Sequence, residues 1–176
     1  MRTIQMLDYK EILVATGKEV DSLLSIFDRA VDQNNFISTF ILGHLWIESL
    51  LFHILKLKTG ISDKALERLT HAKLIDKVEA ECTLSSSQIE TLRAINRTRN
   101  KIAHNISYDM TIAEYKSLIE LAQKAFSDMT DGLLQTLEEL EGKNKISEMS
   151  EFVYPELFMQ IAYDLESVYT SLGGEL

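Results

Sequence analysis

Apolar residues recur at three- and four-residue intervals through most of this chain, the period of an amphipathic helix. No stretch alternates apolar and polar positions long enough to make a strand, and no internal repeat is visible. The spacing predicts a polar helix from Asp8 to about Asp32, broken at Gln33-Asn34-Asn35. The most apolar stretch follows, Phe36 to Lys58, stopped by Thr59-Gly60 with Lys56 and Lys58 in its last turn. Ser62 is expected to cap a helix running to about Glu81. Ser85 and Gln88 fit a capping box, and Thr111 with Glu114 fits a second. The second box opens a long helix whose apolar stripe runs Tyr115, Leu118, Ala122, Phe126, Met129, Leu133, Leu137 and Leu140. A hydrophilic link from Glu141 to Glu151 leads to Pro155 and a last helix, with Leu157, Phe158, Ile161, Leu165, Val168 and Leu172 on its buried face. The expected fold is all-α, an antiparallel bundle of about five to six helices. It forms a single domain over residues 1–176, with residues 147–176 as a C-terminal helical extension.

Composition keeps that picture and narrows the chemistry. With 176 residues, 45% hydrophobic and 26% charged, the chain is long enough to bury a real core and too apolar to be disordered. One proline and seven glycines suit long regular elements with few turns. The single Cys82 excludes an internal disulfide and fits a reducing cytoplasm. The first residues hold no apolar run of signal-peptide length. Phe36 to Lys58 could span a bilayer by length, but His44, Glu48 and His53 interrupt it, so a central core helix and no membrane are expected.

Most catalytic constellations are missing. There is no glycine-rich phosphate loop, no nucleophile elbow, no cysteine pair, no His-Glu-x-x-His and no Glu-x-x-His. His44 and Glu48 lie one turn apart, but two ligands do not make a metal site, and His71 on its mixed helix reads as a surface residue. No metal and no cofactor are expected. The net charge of −9 is uneven: residues 111–176 carry 4 basic and 13 acidic side chains. Thr91 to Tyr108, by contrast, holds Arg93, Arg97, Arg99 and Lys101 with no carboxylate. A general phosphate-backbone binder has a broad basic surface, which this chain lacks, but a local island can still hold a few phosphates.

That island lies on the helix opened by Ser85. Advancing about 100° per residue from Leu92, Ile89, Ile95, Ile102 and Ala103 fall within about 80° of it, and Arg99 within about 20°. Arg93, Arg97, Asn100 and His104 cluster roughly 80–140° round, on a polar flank. A guanidinium on a core-facing stripe is costly unless it is paired or sits at an interface. Glu48, embedded in the apolar helix, is the expected partner for Arg99.

Leu92 to His104, with Arg99 followed by polar Asn100 and then by His104 five residues after Arg99, resembles the R-x4-6-H signature of HEPN domains. The preceding apolar helix with its acid, Trp46-Ile47-Glu48-Ser49-Leu50-Leu51, is also similar to the mannitol operon repressor-like branch of that superfamily. The resemblance covers residues 30–140 in architecture and about fifteen residues in motif. It implies a helical bundle that dimerises so that two motifs face one cleft, and a metal-independent endoribonuclease of the toxin or phage-defence type, with RNA as substrate and a cognate antitoxin as a further partner. Histidine exchanges protons near neutral pH, so His104 is implied as the base for an RNA 2′-hydroxyl. Arg99 is implied as the fork that stabilises the phosphoryl oxygens, the product being a 2′,3′-cyclic phosphate. Helix geometry gives Asn100 and Glu48 supporting roles, and Arg93, Arg97 and Lys101 would hold RNA. Some toxin members carry a tyrosine two residues after the histidine; this chain departs from them, with Ile106 there and Tyr108 four residues on. The alternative is a non-catalytic regulator or dimeric interaction module resembling the mannitol operon repressor, in which Arg99 is only a structural ion pair.

Overall fold

The computed structural model describes residues 36–81, 83–105 and 108–175; the helix expected over Asp8 to Asp32 lies outside them. Among the described residues there are seven α-helices, two short 3-10 turns and no strand, so the fold is an all-α helical bundle. Helix α1, Phe36–Thr59, ends as its sequence demands: Gly60 takes a positive φ of 67° and its N–H donates to the Lys56 carbonyl. This helix is long and apolar enough to cross a membrane, but 67% of its most apolar window is buried inside the bundle. It is the central element, packed against α7, α3 and α4.

The helix expected from Ser62 to Glu81 is two: α2 (Asp63–Leu66) and α3 (His71–Ala80). Thr70 causes the division. Its hydroxyl accepts from the Lys73 N–H, which needs the extended backbone (φ −76°, ψ 158°) of a cap rather than that of a helix interior. Helix α4 (Ser86–His104) opens on the full Ser85–Gln88 capping box, and α5 (Ile112–Ala125) on that of Thr111 and Glu114.

The long helix expected through Leu140 also breaks. Phe126 turns extended and α6 starts afresh at Gly132–Leu140. The Asp128 carboxylate accepts from the N–H groups of Leu133 and Leu134, both at 2.9 Å, and so caps α6 from outside it. Side chains of the last helix, α7 (Glu156–Ser171), hold the gap open: Asp164 accepts from the Ser127 N–H, and Gln160 from the Met129 N–H. Met129 is therefore 71% exposed instead of joining the core stripe. Helix α7 follows Pro155 as expected and packs along α1, with Leu157, Phe158, Ile161 and Leu165 buried. Val168 and Leu172 are only half-buried, because the core thins toward the end of that helix.

Glu114 makes the second capping box sensitive to pH. The Thr111 N–H and the Lys101 ammonium hold its carboxylate down at about 2. A carboxylate depressed in the fold stabilises fully above the unfolded value of about 4.3. That contribution is lost as pH falls toward 2. Glu114→Ala should cost about 1 kcal/mol at neutral pH, the usual scale for a lost cap. The gap between variant and wild type should narrow as pH drops below about 4.3, read by urea unfolding at stepped pH. A gap that stayed constant down to pH 3 would show that the carboxylate charge contributes nothing.

Candidate functional site

Helix α4 is flanked by α5, α3 and α1, so more of its circumference is buried than a single stripe would need. Ile89, Leu92 and Ile95 are inside as expected, and Thr91, Ala94, Asn96 and Thr98 join them. Burial fades over the last turn. Ile102 is half-buried, while Ala103, expected on the apolar face, is exposed beside the exposed His104.

Arg99 is half-buried, and its Nη1 donates to Asn100 Oδ1 at 3.2 Å. Asn100 is thereby engaged by the guanidinium. Arg99 lies close enough to His44 on α1 to bear on that imidazole's ionisation. Burial foremost, then His71 and Arg99, hold His44 well below the ordinary histidine range, with Asn96 opposing them.

Glu48, the expected partner of Arg99, sits within a larger polar cluster. His44, Glu48 and His71 are all buried, Glu48 at 5% exposure and His71 at 7%. Glu48 Oε2 lies 3.8 Å from His44 Nδ1 and 3.5 Å from His71 Nδ1, and the two rings approach to 4.1 Å between centroids. His71 is thus not the surface residue its helix pattern suggested. As the first residue of α3 it sits where the Thr70 cap brings that helix against α1. Nothing local in the sequence marks this meeting, because it depends on how α1 and α3 pack.

The other basic residues divide. Arg93 is pinned to acids of α3, its Nη2 2.7 Å from both Asp76 Oδ1 and Glu79 Oε2, and these carboxylates raise its already high pKa further. Lys101 pairs with Glu114 at 3.1 Å and lies 5.5 Å from the centroid of the Tyr108 ring. Burial, then Glu114, pushes the Tyr108 hydroxyl up to about 12. Arg97 is exposed and has no ion-pair partner among the described residues. Beside this end of α4 a hollow of about 330 Å³ opens between Ile102, Tyr108, Met110, Ile146, Met149 and Tyr154. Comparison with protein-family models, curated proteins and solved structures finds no match to this chain.

Proposed function

We propose that the protein is a metal-independent endoribonuclease of HEPN type, acting in a toxin- or phage-defence-like role as a homodimer. The observation that carries this reading is the division of labour along the end of α4. Arg99 is half-buried and held by Asn100 beside the polar side chains of α1, while His104, five residues on, stands exposed to solvent. A held guanidinium and, five residues on at the same helix end, an exposed imidazole suit in-line phosphoryl chemistry, in which the protein positions charge and moves one proton. His104 takes the proton of an RNA 2′-hydroxyl, whose oxygen attacks the adjacent phosphorus. The bond from phosphorus to the 5′-oxygen breaks, that oxygen takes up a proton from solvent water while His104 later releases the one it took, and a 2′,3′-cyclic phosphate and a 5′-hydroxyl result. Arg99 stabilises the negative charge gathered on the non-bridging oxygens. Arg97 is available to a phosphate, and the half-buried Tyr108 gives the neighbouring hollow an aromatic wall on which an unpaired base can stack. A second copy would supply a second motif to the same cleft.

One observation favours the other reading, a non-catalytic HEPN-like regulator or interaction module. Arg93 and Lys101, two of the three cations assigned to RNA, are already neutralised by acids of their own chain. The two readings part in one assay. Single-stranded RNA and DNA of the same sequence are incubated with protein that circular dichroism shows to be folded in the same EDTA buffer. Cutting of RNA alone, with cyclic phosphate ends, is the expected result. Intact RNA in the presence of folded dimer would leave the regulator.

A further inference from the structure

Away from the exposed His104, α1 and α3 bring three side chains of metal-ligand type to one buried spot. His44 and Glu48 stand one turn apart on α1, and His71 opens α3. One donor atom from each lies within 4.8 Å of the other two. Among the described residues neither ring nitrogen of His44 nor Nδ1 of His71 has a partner in hydrogen-bonding geometry: Asn96 bears on His44 without meeting that geometry, and the 3.5 and 3.8 Å approaches to Glu48 are too long to count as such bonds. A buried polar atom left in that state is destabilising. Both imidazoles bring a ring nitrogen close to the Glu48 carboxylate without hydrogen-bonding it, so two nitrogen donors and one oxygen donor converge on one buried spot.

We propose that His44, Glu48 and His71 form a buried site for a divalent transition metal, with zinc the best match. Zinc takes imidazole nitrogen at about 2.0–2.1 Å and carboxylate oxygen at about 2.0–2.2 Å, so ligand atoms around a tetrahedral ion stand roughly 3.3–3.5 Å apart. The Glu48–His71 edge, at 3.5 Å, already has that length, and the Glu48–His44 edge, at 3.8 Å, needs only a small contraction. The imidazole rings, now 4.1 Å apart, must splay to aim both lone pairs at one point. Two nitrogens and one oxygen suit zinc better than magnesium or calcium, which favour oxygen alone. Three protein ligands leave a fourth position for water. The opposing charge is Arg99, near enough to His44 to disfavour a second cation. Its removal should therefore tighten binding.

The ion would tie α3 to α1 beside the Arg99-bearing face of α4, as a structural clamp. Its ligands are too deeply buried to present it to a phosphodiester in solvent. The proposal stands apart from the ribonuclease reading, because it predicts binding and stability whether or not RNA is cut.

The test strips the full-length protein of metal and titrates it with zinc or cobalt alone. One ion per chain is expected, with a raised melting temperature and the strong visible d–d bands of four-coordinate cobalt. His71→Ala and Glu48→Gln should lose binding, and Arg99→Gln should bind more tightly. No cobalt bands and no thermal shift in the wild type would overturn the site. So would unchanged binding in His71→Ala, or a thiolate-to-cobalt band pointing to Cys82. If both ligand variants fail to fold, X-ray absorption on the zinc-loaded wild type decides. Two imidazoles with oxygen support the site, whereas a sulfur shell or oxygen alone rejects it.

Discussion

His104→Ala is expected to lower RNA cleavage by about 10²–10⁴-fold, the usual worth of a positioned general base. It should do so while leaving the fold intact. His104 is exposed at the last position of α4, where the backbone is already handed on to Asn105, whose N–H donates to the Lys101 carbonyl. Substitutions at such sites stay within about 0.5 kcal/mol, and the lost dipole interaction at a helix end is of the same order. Arg99→Ala should behave differently. It removes the phosphate fork and also a half-buried side chain that packs beside α1, so both activity and melting temperature fall. The contrast is read by single-turnover cleavage of a labelled oligonucleotide alongside thermal unfolding. Activity retained in His104→Ala would move the base elsewhere and remove the reason for linking this pair to catalysis.

The sequence made the helix starts legible wherever a short side chain caps locally. Ser85, Thr111 and Pro155 each marked a boundary that the structure keeps. The two breaks it concealed have partners far along the chain or signals weaker than the apolar stripe. Thr70 stops one helix with a single hydroxyl, and the gap after Phe126 is held by Asp164 and Gln160, more than 30 residues away. The same logic governs the site. The placement of Arg99 on the inward side of α4 could be read from a helical wheel. The polar cluster next to it could not, because His71 joins His44 and Glu48 only through the packing of α3 on α1. Ala103 fails in the opposite sense: the wheel gives direction but not where the neighbouring helices end, and at the last turn of α4 burial has already faded.

Gly43→Ala should destabilise the bundle although it adds only one methyl group. In an ordinary helix interior the substitution gains about 1 kcal/mol from backbone entropy. Here a Cβ at residue 43 would overlap Cγ and both Cδ atoms of the Phe158 ring. The ring cannot swing clear, since it is 1% exposed and set edge-to-face against Phe40, 5.1 Å between centroids and at 89°. Overpacking of this kind costs about 1–3 kcal/mol. For a chain of this size that lowers the melting temperature by roughly 2–4 °C per kcal/mol. Phe158→Leu alone leaves a cavity and also destabilises, but it removes the ring that the new methyl strikes. The double variant should therefore be more stable than the sum of the two single losses predicts, a coupling that a double-mutant cycle measures directly. Because His44 follows Gly43 on α1, any shift that relieves the clash also moves the imidazole relative to His71. Gly43→Ala should then weaken zinc binding as well, although residue 43 bears no ligand. If Gly43→Ala proved as stable as the wild type, α1 and α7 would not approach as closely as this packing requires, and the geometry of the histidine cluster built on α1 would have to be redrawn with them.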